Sequence, residues 1–414
     1  MKDLVIGAGV SGIAYANFTK NSCEIIEREH EIGGYCRTTK RNGFVWDYSG
    51  HFFHFQDPDI EALVCRHINS EDILHVEKVT SILYNGIYVD FPFQKNIHQL
   101  PKEEFIDCLY DLFAAKEDNS GGSFKDMVIS NLGKSIAEKF LIPYNTKLYA
   151  CDLNHLDKDA MGRFFPKASK EDIILNFRNT NNASYNATFD YPMGGAIEYI
   201  NSLLDNIPEV PVSCNEELVS IDVEQKVAYT NKRSIQYENL ISTMPLNKLI
   251  VLCDLPVSDC FTSNQVLVFN IGFDKKGRDK KNCWVYVPDK DVVFYRVGYY
   301  DNILGSDRMS LYVEIGMPSN AEIDFKSMYE RVLTDLRKVG IVNDEQVVDY
   351  DCVVMNPAYV HINQSSIKEV ERIKSMLAEM SIYSIGRYGS WTYCSIEDNI
   401  KEARNLANEL TNGK

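Results

Sequence analysis

Lys2-Asp-Leu-Val-Ile-Gly-Ala-Gly-Val-Ser-Gly-Ile13 decides the fold. Leu4, Val5 and Ile6 predict a buried strand that runs into Gly7, Gly9 and Gly12 and then a helix. This is G-x-G-x-x-G in the context it requires: Gly7 for the tight turn, Gly9 for close approach of a pyrophosphate, Gly12 for helix–strand packing. The helix N-terminus directs free N–H groups at the phosphates. A second strand, Cys23-Glu-Ile-Ile-Glu27, ends in the acid expected to bind an adenosine ribose. The spacing alone leaves NAD and FAD open.

Gly33-Gly34-Tyr-Cys-Arg37 follows at once. The double glycine Gly33-Gly34 reads as a second close approach to the cofactor and Arg37 as a cation near its phosphates. With this segment the chain resembles the FAD-binding start of the amine-oxidase and mutase flavoproteins.

The 414 residues suffice for two or three domains, and the formal net charge is −16. That balance argues against nucleic-acid and anionic-membrane partners. An anionic substrate would need a local cluster of arginines. Eleven scattered cysteines form no C-x-x-C pair, so no metal site is expected and free thiols in a reducing cytoplasm are. No signal peptide or membrane-spanning run is read, and membrane insertion is not expected.

Along the chain, Phe44–His51 predicts a strand ending in Gly50-His51, and residues 58–68 a helix. Strands follow at Lys78–Leu83 and Ile87–Phe91 around Asn85-Gly86. A helical region runs from Leu100 to about 180, with breaks at Asn119–Ser123 and Pro143. Gly194-Gly195 precedes an apolar helix, and Leu218–Val223 and Asn239–Thr243 predict strands. Alternation predicts strands at Val266–Asn270, Trp284–Val287, Val292–Tyr295 and Leu311–Glu314. A helix is expected over Ile323–Val339, a last strand over Ile382–Gly386 and a last helix over Ile396–Leu410.

The expected fold is α/β: a discontinuous Rossmann-type FAD-binding domain (1–75, 186–262, 375–414) with two insertions. One is helical (95–185); the other is an antiparallel-sheet substrate domain (76–94 and 263–374). The ligand site is expected where the insertions face the flavin.

Several further segments, in order, resemble UDP-galactopyranose mutase, and more its eukaryotic than its common bacterial type. They are Gly50-His51, Phe91–Asn96, Leu100–Glu104, Tyr144–Tyr149, Asn186–Pro192, Trp284–Pro288, Phe294–Arg296 and Gly386–Tyr393. The resemblance implies a redox-neutral interconversion of the pyranose and furanose forms of a UDP-hexose, above all UDP-galactose. It further implies reduced FAD whose N5 forms an adduct with the sugar, and NAD(P)H or another reductant as electron source. Arg296 and Arg387 become the diphosphate clamp and the catalytic arginines, with Arg163 in Met161-Gly-Arg163 a third match. Tyr286, Tyr359 and Tyr393 add phenolic donors. Phe93 with Gln94, and Asn145 beside Tyr144, form the uridine pocket; Asn186 is a further substrate residue. His51, with Gly50, lies against the flavin and positions it; the other histidines read as structural.

Arg28, Val219, Met244 and Gly386 are assigned to the cofactor, as are the backbone N–H groups of Ser395 and Ile396. After Tyr393 the chain departs from the eukaryotic type, so side-chain contacts there are not carried over. The rivals are an amine-oxidase-class FAD oxidoreductase, a non-catalytic nucleotide-sugar-binding flavoprotein, and a mutase of another UDP-sugar such as UDP-N-acetylgalactosamine. A homo-oligomer stays open.

Overall fold

The computed structural model describes residues 2–116, 122–178, 180–182 and 187–412. Five parallel strands form the first sheet, in the spatial order Ile382–Ser384, Asn239–Ser242, Lys2–Ile6, Ser22–Ile26, Val212–Ser213. This is the doubly wound order, and it reverses beside Lys2–Ile6, where such sheets open a crevice at their carboxyl ends. Both faces are covered, which is why these strands read as continuous apolar runs. On one face Val5 and Ile25 pack with Ile13, Ile200, Leu203, Ile400 and Ala403 of helices Val10–Phe18, Ile197–Asp205 and Ile396–Asn412. On the other, Leu4, Ile6 and Leu240 meet Leu249, Ile373 and Leu377. The last two belong to a helix, Gln364–Glu379, that the sequence reading did not assign and that crosses the boundary expected at 375. Leu218–Asp222 is a strand, but it belongs to a separate three-stranded antiparallel sheet.

A seven-stranded sheet forms the second layer, ordered Val347–Met355, Asn264–Phe273, Ser310–Pro318, Arg296–Tyr299, Trp284–Tyr286, Thr80–Tyr84, Ile87–Asp90. Neighbours are antiparallel except Trp284–Tyr286 against Thr80–Tyr84. The expected strand over Val292–Tyr295 is absent; that segment is a bend and the strand is Arg296–Tyr299. Val293 N–H donates to the Asp335 carboxylate (2.9 Å) on helix Phe325–Lys338, which draws it out of the ladder. Burial of Val292 and Phe294 under that helix mimics strand alternation. The edge strand Val347–Met355 and the strand Ile73–Glu77, paired with Thr188–Pro192, were not read from sequence.

The helical insertion contains Lys102–Ala114, Phe124–Leu132, a continuous run from Lys134 to Tyr149, and Lys170–Arg178. The break expected at Asn119–Ser123 falls largely outside the described residues. The helix expected over 58–68 stops at Val64. Pro143 does not break its helix: Ala137–Leu141 is wound as a π turn, with Ile142 N–H reaching Ala137 O, and this widened turn accommodates the missing Pro donor. Helix Ile142–Tyr149 lies directly on strand Ser310–Pro318. A Cβ on Gly316 would come within 2.0 Å of Lys147 O, so only glycine allows that approach.

Candidate functional site

The turn after the first strand is built as its glycines require. Gly7 has φ +103°, and a Cβ there would meet Thr243 Oγ1 at 2.3 Å. A Cβ on Gly12 would lie 2.0 Å from Gly7 O, while Gly9 faces Gly34 across the open cradle. Glu27 is buried and accepts from Ala8 N–H (2.8 Å) and Glu29 N–H (3.0 Å), which locks the strand end to the glycine turn. Arg37 does not line the cleft. It is buried behind it, donating to Glu31 O (2.8 Å) and Ile32 O (3.2 Å), and so shapes the loop that carries Gly34.

The cleft above these glycines has a volume of about 990 Å³. Gly7, Gly9, Glu27, Arg28, Gly34, Gly50, His51, Met244, Gly386, Arg387, Ser395 and Ile396 all line it. Gly12 lies in the packed turn beneath. Val219 is 54% exposed on the far side of its strand while Leu218 lines the cleft, because successive strand residues face opposite ways. Ser395 N–H is committed to the Asp398 carboxylate (2.8 Å) at the start of the last helix. The sequence reading missed Asn399, whose Oδ1 accepts from Arg387 N–H (2.7 Å). The donor set and the bare glycine cradle fit a dinucleotide.

The two arginines expected to form the clamp differ. The Arg387 guanidinium stands 5.1 Å from the Tyr359 ring and 4.7 Å from the Tyr393 ring. Its Nε is buried without a hydrogen-bond partner, and among the described residues no carboxylate pairs with it. Arg296 instead grips Glu314 with two nitrogens: Nη2 donates to Oε1 (2.6 Å) and Nε to Oε2. Glu314 also accepts from Ser49 Oγ, two residues before His51. An acid within the otherwise apolar run Leu311–Ile315 was the available signal for this partner. His51 Nδ1 lies 3.3 Å from Ser49 O. Burial, with Arg387 and Arg296 nearby, pulls the imidazole down to about 4, so it is neutral at pH 7.

A second cavity, about 720 Å³, adjoins the first and shares Gly50, Phe52, Arg296, Tyr359 and Tyr393 with it. Tyr144, Asn145 and Tyr286 are on its wall. Asn145 donates to Leu141 O (2.7 Å), and its buried Oδ1 has no partner. Phe93 and Gln94 are wholly buried one layer behind the wall. Phe93 stacks on Phe140 (5.3 Å), which stacks on Tyr144 (5.2 Å); Gln94 donates to Pro166 O. Phe140 and Pro166 form the surface they support. Arg163 lines the cavity and is paired with Asp398 (2.7 Å). Asn186 lies outside the described residues.

The charge of this wall runs against that of the chain. Lys78, Lys95, Arg163, Lys167 and Arg296 line it, and no Asp or Glu does among the described residues.

Residues 5–66 match the model of the NAD(P)-binding Rossmann-like domain. The whole chain is similar to solved structures with the same fold. A reduced UDP-galactopyranose mutase superposes with a TM-score of 0.91 at 21% identity, covering 99% of this chain and 94% of its own. A putative protoporphyrinogen oxidase from Exiguobacterium gives 0.79 at 16% identity, covering 100% and 99%. Cyclohexylamine oxidase from Brevibacterium oxydans gives 0.69 at 12% identity, covering 99% and 98%. The chain therefore has the Rossmann-type α/β fold with an antiparallel-sheet layer that these proteins share. No helix among the described residues is long and apolar enough to cross a membrane.

Proposed function

We propose that the protein is an FAD-dependent mutase that interconverts the pyranose and furanose forms of a UDP-hexose, most simply UDP-galactose. One observation carries this: a dinucleotide cleft and a cation-lined, acid-free cavity meet at Arg296, Tyr359 and Tyr393, with Arg387 beside them on the cleft wall. A diphosphate at that junction would be held by charge-assisted bonds, with Arg387 offering an unspent buried donor. A cationic amine substrate would meet three lysines and two ion-paired arginines there and no acid among the described residues of the wall, which disfavours the amine-oxidase alternative.

Glu27 and the glycine turn would hold the adenosine and pyrophosphate of FAD, and Gly50-His51 would lie against its ring. Reduced FAD, when bound, supplies a nucleophilic nitrogen for the anomeric carbon, so the sugar ends at its starting oxidation level. The clamp's task is to keep the departed UDP close for its return. His51, neutral at working pH, positions and does not shuttle a proton. NAD(P)H or another external reductant would set the flavin's active state. The proposed location is the cytoplasm, whose reducing poise keeps the eleven thiols free.

The test is anaerobic. Dithionite-reduced holoprotein, given UDP-galactofuranose, should form UDP-galactopyranose over many turnovers without re-reduction. Activity confined to oxidised flavin, bleached once per substrate molecule, would overturn the proposal.

A further inference from the structure

Lys147 sits on helix Ile142–Tyr149, one turn beyond Tyr144 and Asn145. Its Nζ reaches three backbone carbonyls of one loop: Val287 (3.0 Å), Asp289 (2.9 Å) and Phe294. An ammonium has three donors, and here each meets an acceptor. The loop, residues 287–294, leaves the strand that carries Tyr286 and enters the strand that begins with Arg296. Its outer side is held by helix Phe325–Lys338: Val293 N–H donates to Asp335 (2.9 Å), and Arg331 donates to Asp291 O (2.8 Å). Among the described residues, the side-chain hydrogen bonds to this loop from outside that helix all come from Lys147. Gly316 lets the helix close on the adjoining strand. The helix bearing Tyr144 and Asn145 is thus joined through one cation to the strand ends bearing Tyr286 and Arg296.

We infer that Lys147 is a positioning residue, which holds the base-side wall of the second cavity and the phosphate-side Tyr286 and Arg296 in one fixed spacing. It touches neither cavity itself. Among the described residues no carboxylate forms an ion pair with this lysine, although Asp289 and Asp335 are near. Lys147 is half-buried, and burial pulls its ammonium down to about 7 while Asp289 and Asp335 push the other way. What meets its donors directly is the set of three convergent carbonyls. A thioether or amide of similar length could not satisfy three acceptors at once.

The nucleotide part of this inference rests on the proposed function; the tie itself does not. Two variants of the holoprotein test both. Lys290, exposed at the loop's tip, is a tryptic site. In Lys147→Met its cleavage should quicken several-fold, and UDP should bind about tenfold more weakly with flavin content unchanged. Lys147→Arg, which keeps several donors, should restore slow cleavage and most of the affinity. Equal cleavage in the Met variant and the parent would overturn the tie, and unchanged UDP affinity would overturn its role in spacing. A parent protein that binds no UDP would defeat the functional reading, while cleavage would still decide the tie. Should the Met variant not fold, hydrogen exchange in the parent decides: amides of 287–294 and of helix 142–149 should open together, and independent opening would refute the inference.

Discussion

Arg296 and Glu314 face each other as a register pair on neighbouring strands, and their side chains form a two-pronged ion pair whose carboxylate is 1% exposed. Arg296 therefore reaches the cavity junction with its charge already shared, while Arg387 arrives without a counter-charge.

The two arginines should consequently fail in different ways. Arg387→Ala should retain flavin and stability but lose UDP-sugar turnover, by roughly 2–5 kcal/mol in transition-state binding. Arg296→Ala should lose turnover too, and also about 3–5 kcal/mol of stability, because it strands Glu314 as an unpaired buried charge. Thermal unfolding beside steady-state kinetics separates them. Equal stability loss in both variants would contradict the asymmetry.

Glu314→Gln should release the Arg296 charge toward the ligand. UDP should bind several-fold more tightly while the melting temperature of the ligand-free holoprotein falls. Calorimetric titration decides it; unchanged UDP affinity would mean that Arg296 does not face the diphosphate.

The depressed His51 makes a pH prediction with a definite sign. Between about 4 and the ordinary histidine value, the unfolded chain binds a proton that the folded protein refuses. Stability should therefore rise with pH across that window and be lost on acidification, by at most about 3 kcal/mol. Asp47 works the other way: burial pushes its carboxyl up to about 7, so its contribution falls as pH rises from its ordinary value toward 7. Comparing melting curves from pH 4 to 7 for the parent and His51→Gln isolates the histidine. The variant should lose less on acidification, and parallel curves would show that His51 is not held neutral.

What was legible in the sequence follows contact distance along the chain. Gly7, Gly9, Gly12 and Glu27 lie within one βαβ unit, so their spacing fixes their local geometry: Gly7 turns the chain, Gly12 packs beneath it and Glu27 ties the strand end to the turn. Arg37 and Phe93 show the limit. Residue type and neighbourhood were readable, but each side chain turns behind the wall because loop dihedrals decide its direction. Val292–Tyr295 misled because burial under a helix alternates as a strand does. Glu314, Asp398 and Lys147 were unassigned because their partners are distant in sequence; a lysine bound to backbone carbonyls leaves no pairing pattern to find.

Asn145 spends its amide N–H on Leu141 O and keeps a buried oxygen, Oδ1, without a partner at the wall of the second cavity. An unspent acceptor selects a donor. Uracil presents an N3–H at the middle of its pairing edge, whereas cytosine has a bare N3 there, which would oppose Oδ1 with a second lone pair, its only donor being the N4 amine at the corner of that edge. Leaving such a group unmatched costs about 1–3 kcal/mol. The parent should therefore bind UDP at least about fivefold more tightly than CDP. Asn145→Ala should weaken UDP more than CDP and so erase most of that difference. Gln94→Ala, lying one layer back, should instead weaken both nucleotides together through the loss of its bond to Pro166. Parallel titrations of UDP and CDP against the flavin-loaded proteins measure all three. If Asn145→Ala leaves the UDP-to-CDP ratio unchanged, the base is not read at this wall, and the nucleotide lies the other way round in the cavity or does not enter it.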